Sequence, residues 1–276
     1  RFSNSSPHVI LQPENKIMDK LIKTKVIRTK LSSGQVTMGT WQQIGSPEIA
    51  ECLGRSGYDW VTIDLEHGSI SPHELPNIFR ALELGNTLPL ARITVPDPLQ
   101  AKQVMEAGAG GVIIPDIRNR KQLEDIKAAT RWKPAGSRGC GFNRANCYGK
   151  DFYEYSDGLS QAPLIIPMIE HVDAIQELED ILSVEVDAVL IGPYDLSSSL
   201  GITGKFDNPM YKHTLNKFIK YCSSNNIPMG YHILGNEYSK EPYSELQDRI
   251  LEGYRFIAYS GDVMLFNKHS KNPYSR

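Results

Sequence analysis

The chain has 276 residues, with 30 Lys and Arg against 32 Asp and Glu, a formal net charge of −2 and 40% apolar residues. That length suits one large domain or two small ones. The balanced charge supplies no global attraction to nucleic acid or an anionic membrane, and no apolar run approaches the roughly 20 residues that span a bilayer.

Residues 1–34 read as a polar extension with one helix over Met18–Arg28. Its basic residues, Lys16, Lys20, Lys23, Lys25, Arg28 and Lys30, are expected to form a solvated face, because no aromatic rings are interleaved for base stacking. Arg1 to Asn15 carries no apolar core with a small-residue cleavage site, so no signal peptide is expected. The Asn4-Ser5-Ser6 sequon has a use only in a secreted chain. Cys52, Cys140, Cys147 and Cys222 form no C-x-x-C pair and read as reduced thiols of a cytoplasmic protein.

From residue 35 to 276 a single catalytic domain is expected. Short apolar strands alternate with helical segments. Strands are expected at Val36–Thr40, Trp60–Asp64, Leu88–Ile93, Gly111–Pro115, Leu164–Ile169, Ala188–Ile191, Pro228–Ile233 and Phe256–Ser260. Helices are expected at Pro47–Ser56, Pro72–Leu84, Pro98–Ala107, Arg120–Thr130, Val172–Leu182, Met210–Asn225 and Tyr243–Glu252. Ser46-Pro47 and Ser71-Pro72 each place a capping hydroxyl before a first-turn proline. Strict alternation implies a parallel sheet with helices outside. Eight strands in about 230 residues fit an α/β fold of the (β/α)8 TIM-barrel type. A doubly wound open sheet is the alternative, weakened by the lack of a Gly-rich nucleotide loop after any strand. The irregular stretch from Lys133 to Ala162, rich in Gly and Tyr, reads as a lid or a subunit contact.

In such a barrel the chemistry sits at the carboxyl ends of the strands. The run Tyr58-Asp59-Trp60-Val61-Thr62-Ile63 ends in Asp64-Leu65-Glu66-His67-Gly68. An Asp three residues before a His can orient the imidazole as a general base. The next strands end in Arg92, Asp116 and Glu170, and the sixth runs into Gly192-Pro193-Tyr194-Asp195. Each of these residues alone can be a helix cap, a turn residue or a structural ion pair. Together they put several carboxylates on one rim, where like charges repel. A divalent cation relieves that repulsion. Glu170 and Asp195, on adjacent strands, make the best two-carboxylate set, which suits Mg²⁺ or Mn²⁺ with open positions for a chelating substrate. Co²⁺ or Zn²⁺ is the further option. No lysine stands at these strand ends, which argues against Schiff-base chemistry.

At these residues the chain resembles the HpcH/HpaI aldolases, the class II, metal-dependent pyruvate aldolases related to 2-keto-3-deoxy sugar acid aldolases and macrophomate synthase. The resemblance runs from about Val36 to about Leu265. It is carried by Gly39-Thr40-Trp41, Asp59 to Gly68, Leu90-Ala91-Arg92, Ser137-Arg138-Gly139, Met168-Ile169-Glu170 and Ile191 to Ser197. It implies a carbon–carbon lyase that makes or breaks a 4-hydroxy-2-oxo acid from pyruvate and an aldehyde. It implies that Glu170 and Asp195 ligate the metal, that Arg92 stabilises the enolate oxygen, and that His67, oriented by Asp64, is the acid/base group. Trp41, Gly192, Pro193, Tyr194 and Asp195 would bind substrate, with the Tyr194 and Asp195 N–H groups on its carboxylate. Many members carry Gln where Met168 stands, so the aldehyde is the less defined half. Family members assemble as homo-oligomers, dimers built into hexamers. The partners expected are thus a small keto acid, an aldehyde and further copies of the chain, with no nucleic acid and no membrane. The competing readings are an oxaloacetate decarboxylase or CoA-ester lyase on the same barrel, and a catalytically inactive binding barrel.

Overall fold

The structure, a computed structural model, describes residues 16–157, 163–234, 242–270 and 272. The Asn4 sequon and Gly158 to Ala162 of the Gly-rich stretch lie outside the described residues. Eight parallel strands close into a barrel in sequence order. They are β1 (Thr37–Gln42), β2 (Trp60–Asp64), β3 (Leu88–Arg92), β4 (Gly111–Ile114), β5 (Leu164–Ile169), β6 (Val189–Ile191), β7 (Met229–Ile233) and β8 (Tyr254–Gly261). The first helices are α1 (Lys16–Ser32), α2 (Pro47–Gly54), α3 (Leu75–Leu84), α4 (Pro98–Ala107), α5 (Arg120–Thr130) and α6 (Phe152–Asp157). They are followed by α7 (Val172–Gln176), α8 (Leu178–Ile181), α9 (Pro193–Ser199), α10 (Pro209–Ser224), α11 (Pro242–Leu251) and α12 (Asp262–His269). No described helix is long and apolar enough to cross a membrane.

Side chains alternate across each strand. Val61, Ile63, Ala91, Val112, Ile165, Ile169 and Ile257 pack outward against the helices. Trp60, Leu88, Leu90, Ile113, Leu164, Ile166, Met168, Leu190, Phe256 and Ala258 fill the interior. The interior is plugged by Trp60 stacked on Phe256, ring centroids 4.0 Å apart and planes within 2°. Gly39 faces that stack: a Cβ there would come within 2.2 Å of the Trp60 ring, so only glycine fits.

Helix α1 is a floor for the barrel. Its Ile27 and Leu31 join the interior cluster. Three of the basic residues expected on a solvated face, Lys20, Arg28 and Lys30, are instead partnered, while Lys25 is exposed as expected. Lys20 is 7% exposed and 2.9 Å from Glu83, Arg28 binds Asp187, and Lys30 binds Asp59. A helix laid on the barrel floor turns part of its polar side toward neighbouring acids, which helical spacing alone does not show.

The 133–162 stretch also departs from expectation. It contains a 3-10 turn, Arg144–Gly149, and α6. Arg144 donates to the Ala107 carbonyl at the end of α4 and pairs with Glu83. A segment that follows a helix and precedes a strand lies at the amino-terminal end of the barrel, so its described part is no lid over the carboxyl rim.

Candidate active site

Inward positions turn from apolar to polar as the strands reach the carboxyl rim. Asp64 follows Trp60 and Thr62 on β2, Arg92 follows Leu88 and Leu90 on β3, and Glu170 follows Ile166 and Met168 on β5. Asp64 and Arg92 line a cavity of about 510 Å³ with Trp41, His67, Met168 and the segment Gly192 to Asp195, and Glu170 stands against Gly192.

Asp64 and Arg92 stand opposite one another in the β2–β3 register. The guanidinium grips the carboxylate with two donors, Nε to Oδ1 at 2.9 Å and Nη2 to Oδ2 at 2.7 Å. Its third nitrogen, Nη1, is 2.9 Å from Glu66. The cation lies over the Trp41 ring, 4.5 Å from its centroid, a contact that holds it flat. Burial opposes ionisation of Asp64, but the Arg92 bond and charge, with a Gln43 amide at 2.9 Å, hold its carboxyl below the usual range. Gln43 is placed by Asp262, whose two oxygens each accept a backbone N–H, from Gln43 and Ile44, at 2.9 Å.

The expected Asp64–His67 pair takes another form. Asp64 Oδ1 accepts the backbone N–H groups of Glu66 (3.1 Å) and His67 (3.3 Å), and no bond to the His67 ring is made. A buried carboxylate facing a guanidinium on the next strand pairs with it first. Asp64 therefore shapes the turn that carries His67, whose side chain stands exposed at the cavity mouth.

Glu170 is 6% exposed. Its Oε1 accepts the Asp116 backbone N–H at 2.5 Å, while the Asp116 carboxylate turns away to Arg118 at 2.8 Å. Asp116 thus serves the rim through its main chain. Burial, then the charges of Glu66 and Asp195, push the Glu170 carboxyl up to about 7, despite the opposing Asp116 bond. Glu66 is raised as well, first by burial and also by Asp64 and Asp195. Gly192 seals the back of this cluster; a Cβ there would stand 2.5 Å from Glu170 Oε2. Pro193 opens α9, so Tyr194 and Asp195 lie in its first turn, where backbone N–H groups have no intrahelical acceptor. Met168 places its sulfur 4.0 Å from Arg92 Nη1, an apolar wall beside the cation.

Two residues of the site escaped the sequence reading. Glu66 stood inside the quoted motif but was masked by its neighbours Asp64 and His67. His232 lines the cavity from β7, and its Nε2 is 2.9 Å from the Ser260 carbonyl. Its signal was a polar residue at the inward parity of a strand end, two residues after Gly230.

The model of the HpcH/HpaI aldolase/citrate lyase family matches residues 37–248. A 2-dehydro-3,6-dideoxy-6-sulfogluconate aldolase of Pseudomonas putida is 32% identical over 231 residues, covering 83% of this chain and 87% of that protein. A hydroxypyruvate/pyruvate aldolase of Agrobacterium fabrum is 30% identical over 87% of this chain and 88% of its own length. Among solved structures, a HpcH/HpaI aldolase/citrate lyase family protein from Burkholderia cenocepacia superposes with a TM-score of 0.81 at 25% identity, covering 89% of this chain and 96% of that one. Macrophomate synthase shares the fold, with a TM-score of 0.75 at 22% identity over 90% of this chain and 86% of that one. This chain belongs to the HpcH/HpaI aldolase/citrate lyase family.

Proposed function

We propose that the protein is a divalent-metal-dependent aldolase that joins and separates pyruvate and an aldehyde through the pyruvate enolate. The observation that carries this reading is the gathering of acids at the rim: burial and the charges of Glu66 and Asp195 raise Glu170, burial and the charges of Asp64 and Asp195 raise Glu66, and Arg92 opposes both shifts. Such a cluster is suited to a hard cation bound by oxygen. Glu170 and Asp195 would hold Mg²⁺ or Mn²⁺, with Gly192 leaving room behind Glu170. When bound, the cation supplies positive charge for the keto oxygen of pyruvate, which makes its methyl group easier to ionise.

The protein's own groups complete the chemistry. Arg92, fixed by Asp64 and Trp41, presents a preorganised positive charge to the developing enolate oxygen. First-turn N–H groups of α9 at Tyr194 and Asp195 suit the pyruvate carboxylate. His67, at the mouth, moves the proton between the methyl carbon or the new alkoxide and solvent. Balance is simple: a C–H bond of pyruvate breaks, its electron pair forms the C–C bond to the aldehyde carbon, and the proton returns to the oxygen of that carbon. No lysine is among the residues that line the cavity, so a Schiff base has no nucleophile there.

Relatives named for hydroxypyruvate, pyruvate and 4-hydroxy-2-oxo-heptane-1,7-dioate support the keto-acid half. The cavity's extension past Arg92 to Tyr231 and Arg249 leaves space for a second reactant, which favours condensation over decarboxylation. We place the enzyme in the cytoplasm as a homo-oligomer. Four free cysteines support the first, and Phe142 and Tyr153, 74% and 79% exposed, support the second. The test is aldol turnover of pyruvate with a panel of aldehydes. EDTA should abolish it, Mg²⁺ or Mn²⁺ should restore it, and borohydride with pyruvate should leave the enzyme intact; covalent trapping of a lysine would overturn the reading.

A further inference from the structure

We propose that His232 selects the aldehyde: the acceptor half of the cavity takes an uncharged aldehyde bearing hydroxyl groups, and His232 accepts a hydrogen bond from one of them. This rests on the aldolase reading above and names its second substrate by class.

The tautomer of His232 follows from its partner. Nε2 lies 2.9 Å from the Ser260 carbonyl oxygen, which can only accept. Nε2 therefore carries the hydrogen, and Nδ1 of the neutral ring is an acceptor. Ser260 holds a left-handed backbone, φ 55°, a conformation unfavourable for a residue with a side chain. It persists here at the end of β8, where its carbonyl meets the His232 ring. Such local strain is characteristic of functional positions. The ring is braced by Trp41, centroids 5.3 Å apart, and the same Trp41 ring carries the Arg92 guanidinium. Among the described residues no protein donor meets Nδ1. Burial pushes the imidazole down to about 4, consistent with a neutral ring at physiological pH.

The surroundings share this character. Glu245 and Asp248 of α11 line the same cavity and bring carboxylates, which also accept. Arg249, the cation beside them, is tied to Glu252 at 2.6 Å, lies 3.9 Å from Glu245 and sits 4.3 Å over the Tyr231 ring. Acceptors with an aromatic face complement hydroxyl donors on a carbon skeleton. An anionic aldehyde meets carboxylates there, and an alkyl aldehyde leaves the imidazole lone pair unpaired, so both are selected against.

The experiment compares kcat/KM for condensation of pyruvate with glyceraldehyde, propanal and glyoxylate, using wild type, His232→Leu and His232→Gln. Wild type should favour glyceraldehyde over propanal and over glyoxylate by at least about tenfold, the worth of one good hydrogen bond. His232→Leu should shrink the glyceraldehyde-to-propanal ratio about tenfold, and His232→Gln, which keeps an acceptor oxygen, should restore part of it. Wild type favouring propanal or glyoxylate overturns the proposal, as does an unchanged ratio in folded His232→Leu. If His232→Leu does not fold, the wild-type panel decides. Reaction with no aldehyde at all would refute the aldolase reading itself, whereas equal reaction with all three would refute only the role of His232.

Discussion

Arg92 spends all three of its nitrogens on two carboxylates, Asp64 and Glu66, while its flat face rests on Trp41. It cannot move without leaving a carboxylate that is 1% exposed unpaired. The Asp64 carboxyl is held below its ordinary value, so the unfolded chain takes up its proton first as the medium is acidified. The stabilisation is present above about pH 4 and is lost as pH falls through the depressed native value. Asp64→Asn should remove that acid-limb dependence from urea denaturation curves and cost of order 3 kcal/mol at neutral pH, because it strands a buried guanidinium. An unchanged midpoint would mean that Glu66 alone satisfies Arg92. Glu170 shifts the other way, up to about 7. Protons should therefore compete with Mn²⁺ for it, and the affinity measured by calorimetry should weaken as pH falls below about 7. A flat affinity from pH 8 to 5.5 would argue that Glu170 is not a ligand. His67→Ala should lower kcat by 10²–10⁴, the usual range for a lost acid/base group, while Mn²⁺ binding stays intact. The strand-end positions of Asp64, Arg92 and Glu170 were legible because each ends an apolar run. Their pairings were not: that Asp64 meets Arg92 instead of the His67 ring depends on the β2–β3 register, which no single strand encodes.

At the level of elements, β2 and β5 match the sequence reading residue for residue, and the other strand ends fall within about two residues of it. Buried parallel strands are short apolar runs bounded by turns, so they are easy to delimit. Helices were less so. The expected start at Pro72 falls at Leu75, because Glu74 folds back to accept the Ser71 N–H at 2.7 Å and forms a separate turn. The segment after Glu170 parts at Glu177 into α7 and α8. Helices α9 and α12 were missed; the first is a seven-residue segment that reads as a polar loop after a strand. The contribution of α1 was hidden too, because its anchoring acids lie far away in sequence. Glu83 meets Lys20 at 2.9 Å and Arg144 at 2.6 Å, which ties α1, α3 and the 3-10 turn together. Glu83→Gln should leave two poorly exposed cations short of a counter-charge and cost roughly 3–5 kcal/mol. Thermal or urea unfolding checks this; a variant as stable as wild type would show that the cluster is replaceable.

For the whole molecule, the barrel divides its two ends by task. The amino end, floored by α1, is apolar and braced by ion pairs, and the carboxyl end gathers acids, Arg92 and two imidazoles around the cavity. Fold class was readable from alternation and length alone, since eight apolar runs with helices between them have few other ways to close. Assembly was not readable from any pattern within one chain. Sedimentation should give a mass several times that of one chain, and a monomer at working concentration would contradict the proposed oligomer. The central claim is that Glu170 and Asp195 hold a cation that lets pyruvate ionise, and the most direct measurement is NMR of hydrogen–deuterium exchange at the pyruvate methyl group in D₂O, with no aldehyde present. Exchange should occur with Mg²⁺ or Mn²⁺, stop with EDTA, and fall at least about a hundredfold in Glu170→Gln, the scale of losing one transition-state charge partner. Exchange that persists undiminished with EDTA, or in that variant, would contradict the account.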